Sequence, residues 1–89
     1  MAIFDLLGRR WALRLLWELR DESLTFRELQ ARCGDMSSSV LNQRLRELRG
    51  ADIVTLEEGG GYRLTDEGLA LVRALVPLHQ WAADWSKRV

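Results

Sequence analysis

Ser39, Gln43 and Arg46 stand at i, i+4 and i+7, a spacing that lays all three along one face of a helix. Their side chains have the reach and hydrogen-bonding pattern that base edges in the major groove of DNA require. Gln pairs with adenine and Arg with guanine, each through two hydrogen bonds. Ser38, Asn42 and Arg49 lie to the sides of this face, where phosphates would be met. Ser37, Ser38 and Ser39 open the helix, and the free N–H groups of a helix N-terminus attract phosphate oxygens. Arg44 sits at the edge of the opposite stripe, placed for an acid or a phosphate. Glu47 is the only acid from Ser37 to Leu48, against Arg44 and Arg46. An ordinary solvated face in a chain of balanced charge would carry more acids, so this face is read as a DNA-contact face.

Other chemistry finds little support. His79 is the sole histidine, with no acid or cysteine one helical turn away, and is read as structural. The serines at 37–39 have no base nearby in sequence and are explained as a cap. Cys33 is the sole cysteine, so neither an internal disulfide nor a thiolate metal site is expected. It is expected to fill core; a redox-sensing role would need exposure and a lowered pKa. No enzyme, cofactor or metal is therefore expected.

The 89 residues carry 13 basic and 13 acidic side chains, a formal net charge of zero. Bulk charge thus cannot supply a grip on nucleic acid, and any contact must come from local clustering. Twelve of the 13 bases are Arg, whose planar fork suits phosphate and guanine. Hydrophobic residues make up 47% of the chain and include four Trp. A chain this short buries only about 60–65% of its unfolded surface. That apolar load implies either a dense core or a partner. The start, MAIFDLLGRRW, lacks a signal-peptide layout, and no apolar run reaches the roughly 20 residues of a membrane span. A cytoplasmic protein of one domain, residues 1–89, is expected, with no membrane contact.

The elements that would position the DNA face follow from caps and periodicity. Ile3 to Leu7 is an apolar lead-in ended by Gly8. A first helix, Arg10 to Arg20, carries Ala12, Leu15, Leu16 and Leu19 on one face and Leu13 and Trp17 on a second. Leu24 reads as a one-rung strand. Thr25 and Glu28 have capping-box spacing for a helix from Phe26 to Cys33, broken at Gly34. Ser37 caps the third helix, which runs to about Gly50 with Leu41, Leu45 and Leu48 buried. Strands at Ile53–Glu57 and Tyr62–Leu64 flank a glycine-rich turn and form a hairpin. Its tip is short and acidic, with Arg63 its only base, so little minor-groove contact is expected. Thr65 caps a last helix, 66–86, expected to kink or restart at Pro77. The order predicts a mainly α winged helix-turn-helix with a small β-hairpin wing.

The last helix holds Leu71, Leu75, Leu78, Ala82 and Trp85 at alternating four- and three-residue steps, a heptad seam. Leu69, Val72, Val76 and Trp81 lie on an adjacent face able to pack on the domain itself. Together with Leu13 and Trp17 this is more apolar surface than one small core needs. A homodimer through the first and last helices is expected, using Leu13, Trp17, Leu71, Leu75, Leu78, Trp81, Ala82 and Trp85. Two-fold symmetry would set the reading helices about 34 Å apart, one DNA turn. The tryptophans could alternatively line a pocket for a small aromatic effector.

Several runs resemble one known family. Leu7-Gly8-Arg9-Arg10-Trp11 through Leu16, Phe26-Arg27-Glu28-Leu29, Ser37 through Leu48, and Tyr62 through Gly68 are similar to HxlR-type winged helix-turn-helix regulators. These belong to the broad MarR-like group of bacterial repressors and activators. The resemblance spans nearly the whole chain and is most specific at Gln43-Arg44-Leu45-Arg46-Glu47-Leu48 and Leu64-Thr65-Asp66-Glu67-Gly68. It implies a homodimer with the third helix in the major groove and Ser38, Ser39, Asn42, Gln43 and Arg46 facing DNA. Trp81 falls where such proteins often carry a tryptophan on the last helix. The chain departs from the pattern in three places. It has no cysteine just before the first helix, its wing is short and acidic, and Ser38-Ser39 replace a common Pro-Lys pair.

The sequence therefore leads to a dimeric, sequence-specific regulator of transcription that binds double-stranded DNA. Two alternatives come from zero net charge and the tryptophans: a protein-interaction module without DNA binding, and a small aromatic-ligand binder.

Overall fold

Caps and apolar stripes divide the chain much as expected, with one addition at its start. The computed structural model describes residues 3–89 and orders them as α1 (Ile3–Leu7), α2 (Ala12–Glu18), β1 (Leu24–Thr25), α3 (Phe26–Arg32), α4 (Ser38–Gly50), β2 (Val54–Leu56), β3 (Gly61–Leu64) and α5 (Asp66–Arg88). The apolar lead-in is itself helical, so the DNA-face helix is the fourth, α4. The next helix starts at Ala12 and ends at Glu18, shorter at both ends than the Arg10–Arg20 expected. The reason lies in Trp11, whose φ of 78° puts it in the left-handed region and outside any helix.

Thr25 closes the full capping box on α3: its side chain accepts from the Glu28 N–H at 3.2 Å, and the Glu28 carboxylate accepts from the Thr25 N–H at 2.9 Å. That backbone hydrogen bond holds the Glu28 carboxyl below the usual carboxylate range. The strands form one antiparallel sheet in the order β1-β3-β2. Leu24 pairs with Tyr62, and Val54 with Leu64. The two-residue β1 thus covers an edge of the hairpin that would otherwise be bare.

Every element gives the core a side chain: Leu6, Leu15 and Leu16, Leu24, Leu29, Leu41 with Leu45 and Leu48, Val54, Leu64 and Val72. Cys33 belongs to it at 2% exposed. Burial pushes its thiol up, away from the reactive thiolate, as core filling rather than sensing requires.

The last helix runs through Pro77 to Arg88 as one element and does not restart there. Thr65 caps it, accepting from the Gly68 N–H at 3.0 Å. Val72 is buried and Leu69 packs on the core, but every residue from Pro77 to Val89 is exposed. The end of α5 therefore stands off the body, and the molecule as a whole measures 43 Å in its longest dimension. No helix among the described residues is long and apolar enough to cross a membrane.

Candidate nucleic-acid interface

An α-helix turns 100° per residue, so Leu41, Leu45 and Leu48 share one side of α4, and Ser39, Gln43 and Arg46 the other. The three leucines are 0–2% exposed. Ser39, Asn42, Gln43, Arg46 and Arg49 are all exposed. Burial of the stripe fixes which face looks outward; it needs no contribution from the polar side.

The N-terminus of α4 is anchored through α3. Gln30 donates from Nε2 to the Met36 carbonyl and to Ser38 Oγ, each at 2.9 Å. Met36 is buried, which pins the turn between the helices. Gly34 and Asp35 carry it round with φ of 69° and 57°. Ser37 caps α4, accepting from the Val40 N–H at 3.5 Å, and shares a 2.9 Å hydrogen bond with Ser39. The three serines expected on DNA are thus each engaged locally, though all remain exposed.

The arginines divide into two groups. Arg14 spans Glu18 at 2.8 Å and the Arg32 carbonyl at the end of α3, also at 2.8 Å. Arg32 pairs with Glu22 at 2.6 Å. Arg46 and Arg49 form no ion pair among the described residues and are left outward on α4. Arg27, on the exposed side of α3, likewise forms no ion pair among the described residues, and the capping pattern of α3 gives no sign of this. The first helix of such a pair crosses the DNA backbone, which suits Arg27 to a phosphate.

Two of the expected contacts are turned inward or held in the fold. Arg44 has a side chain only 13% exposed. Its Nε donates to the Arg10 carbonyl at 2.9 Å and its Nη1 to Glu47 at 2.7 Å. It is an internal tie rather than a free cation. Arg63 is half exposed, but its Nε lies 3.7 Å from Glu57, and its Nη1 donates to the Leu64 carbonyl at 3.1 Å. Glu57 also accepts from Ser23. The wing's one base is held by the acid across the hairpin.

A second surface gathers the residues expected at a dimer contact. Leu13 and Trp17 from α2 meet Leu75, Leu78, His79 and Ala82 from α5 around a shallow apolar groove of about 170 Å³. Leu71 and Leu75 lean on the core and are half-buried. Leu13, Leu78, Trp81 and Trp85 stay 46%, 58%, 55% and 49% exposed. Trp81, placed by periodicity on the face that packs against the domain, stacks instead on Trp85 with ring centroids 6.1 Å apart. Trp81 lies in the exposed stretch of α5 from Pro77 onward and remains 55% exposed despite that stack. His79 stacks on Trp17 at 4.4 Å, and the Arg20 guanidinium lies 4.1 Å from the same ring. Trp17 is thus already engaged by two groups of its own chain.

A family model described as HxlR-like helix-turn-helix matches residues 6–89. The chain is 32% identical over 87 residues to an uncharacterized HTH-type transcriptional regulator, YvaP, of Bacillus subtilis (strain 168), across 91% of this chain and 81% of that protein. Its fold superposes on quinone-bound YodB from B. subtilis with a TM-score of 0.85 at 32% identity, over 92% of each chain. It also superposes on a possible HxlR family transcriptional factor from Thermoplasma volcanium GSS1 with a TM-score of 0.87, over 98% of this chain and 84% of that one. At 22% identity the latter speaks for the fold alone.

Proposed function

The chain belongs to the HxlR-like helix-turn-helix family, whose members are transcriptional regulators and not enzymes, and on that premise we propose that it reads double-stranded DNA as a homodimer with α4 in the major groove. The observation that carries this is the outward face of α4. Gln43 and Arg46 are exposed on the side opposite a buried leucine stripe, and the one acid among α4's residues is bound to arginines. Gln43 and Arg46 read base edges. Ser38, Ser39, Asn42 and Arg49 meet phosphates, joined by Arg27 from α3, while Ser37 shapes the helix end. Arg63 adds little, because Glu57 already holds it.

Selection from a pool of random duplexes tests the reading. A two-fold symmetric motif should emerge. Arg46→Ala should weaken binding to it by about 1–3 kcal/mol and relax the preference at one position per half-site. Failure to bind any duplex, even at low salt, would sink the DNA reading and favour a protein-interaction module. Steep weakening with salt is the signature that separates the two.

A small aromatic effector is the second reading, favoured by the quinone-bound state of YodB. The groove between α2 and α5 is the place for it. His79 already lies against Trp17, so a flat ligand would have to displace it to stack on that face. Quinone titration followed by Trp fluorescence should then show saturable quenching that Trp17→Phe reduces. A flat response would remove the effector.

A further inference from the structure

We propose that Arg44 and Glu47 are positioning residues that clamp α4 to the turn Gly8–Trp11 and so set the register at which Gln43 and Arg46 meet base edges. The inference rests on the DNA reading given above and names a device within the same site.

The clamp has two jaws. Arg44 Nε donates to the Arg10 carbonyl at 2.9 Å, and the Glu47 carboxylate lies 3.6 Å from Arg9 Nε. The jaws are joined to each other by the 2.7 Å contact between Arg44 Nη1 and Glu47. Both side chains are largely covered, at 13% and 16% exposed, whereas the neighbouring Arg46 and Arg49 are exposed. The Arg44 contacts, at hydrogen-bond distance in a sheltered place, are of the kind that fixes a conformation, while the Arg9 contact, with Arg9 47% exposed, is the weaker jaw.

The surface they grip is unusual. Trp11 holds a φ of 78°, which bulky residues rarely adopt and keep only where the surroundings enforce it. The Arg10 guanidinium lies 5.5 Å over its ring, and the ring itself packs on the core. The Arg10 carbonyl lies before the first turn of α2 and takes its hydrogen bond from Arg44. A strained turn held in one shape is a firm reference point for α4.

Such a reference matters because a bidentate base contact tolerates only a few tenths of an ångström, the width of the window from about 2.7 to 3.2 Å. The leucine stripe fixes the rotation of α4, but apolar packing is non-directional and controls sliding along the axis less strictly. Gln30 supplies a directional restraint at the N-terminus of α4, and the two jaws supply one further along, beside Gln43 and Arg46.

Glu47→Gln gives a test whose sign is decisive. Removing an acid beside a DNA face should tighten binding on electrostatic grounds alone. Loss of the clamp predicts the opposite. Wild type, Glu47→Gln and Arg44→Gln would be titrated with the selected duplex and with an unrelated duplex of equal length, across a salt series. The expected result is a roughly tenfold loss on the selected duplex for each variant, the worth of one charge-assisted hydrogen bond. Affinity for the unrelated duplex should not fall with Glu47→Gln, the salt slope should hold for both variants, and the double variant should lose little more on the selected duplex than either single one. Glu47→Gln binding the selected duplex as tightly as wild type would overturn the clamp alone. So would a slope lowered by about 0.9 in Arg44→Gln, since that marks a phosphate contact. If Arg44→Gln fails to fold by its melting curve, Arg44→Lys takes its place, keeping the charge but losing the fork. A wild type that selects no motif overturns the DNA reading, and the clamp with it.

Discussion

Gly68→Ala should lower stability by about 3 kcal/mol or more, although alanine is the better helix former by about 1 kcal/mol. The first turn of α5 lies directly on the start of β2. A Cβ at Gly68 would stand 2.2 Å from the Ile53 carbonyl oxygen and 3.2 Å from Leu64 Cβ. The oxygen cannot yield, because it accepts the Thr65 N–H at 3.0 Å, and the Thr65 hydroxyl lies 3.2 Å from it. The helix must move instead, and with it Leu69 and Val72, the side chains that seat α5 on the core. Against a total of about 5–10 kcal/mol for a domain of this size, such a loss is severe. The thermal midpoint should fall by at least 10 °C, roughly what 3 kcal/mol implies at this chain length. Gly50→Ala is the control: its Cβ would meet nothing within 4 Å, and the variant should melt at or slightly above wild type. A Gly68→Ala protein that melts within two or three degrees of wild type would show that α5 is seated more loosely than the close approach requires.

That close approach explains a part of the sequence that local reading could not. Thr65, Asp66 and Glu67 announce the start of a helix through capping and the dipole, and the helix starts there. Nothing in that pattern says why the third residue is glycine; the answer is the backbone oxygen of Ile53, 15 residues earlier in the chain. The same division runs through the molecule. Where a signal is local and periodic, it is legible: the capping box at Thr25, the cap at Ser37, the stripe of Leu41, Leu45 and Leu48, and the glycine-rich hairpin. Where the outcome depends on a neighbour remote in sequence, it is not. Trp11 ends one run and begins another only because its left-handed backbone is held by packing. Arg44 looks like any cation near the DNA face until Arg10, 34 residues away, receives its hydrogen bond. Pro77 looks like a break, but the loss of one N–H and one ring clash did not end a helix of 23 residues. The outward face of α4 was legible for a different reason. Its composition needs no knowledge of contacts, only the direction the leucines take.

Leu78→Glu should convert the proposed dimer to a monomer while leaving each chain folded. Leu78 is 58% exposed and lies beyond the last buried residue of α5, so the substitution removes little packing within one chain. Glu is as good a helix former as Leu to within a few tenths of a kcal/mol. What it disrupts is the apolar surface formed by Leu13, Leu78, Trp81 and Trp85, each 46–58% exposed on one side of the molecule. Contiguous apolar area of this kind marks an association site. A two-fold partner would bring Leu78 of each chain onto the same patch of the other, so one substitution enters the interface twice, with two carboxylates desolvated together. The consequence for DNA follows from geometry. Two reading helices on one dimer convert the second half-site contact into an intramolecular event, worth about 10²–10⁴ in affinity. Leu78→Glu should lose a factor of that order on a two-fold site and almost none on an isolated half-site. Sedimentation would report wild type near twice 10.3 kDa and the variant near 10.3 kDa itself. A wild type that sediments as a monomer at concentrations where it binds DNA would overturn the dimer. The exposed tryptophans would then call for a different protein to cover them, and together with zero net charge would weigh for the interaction module.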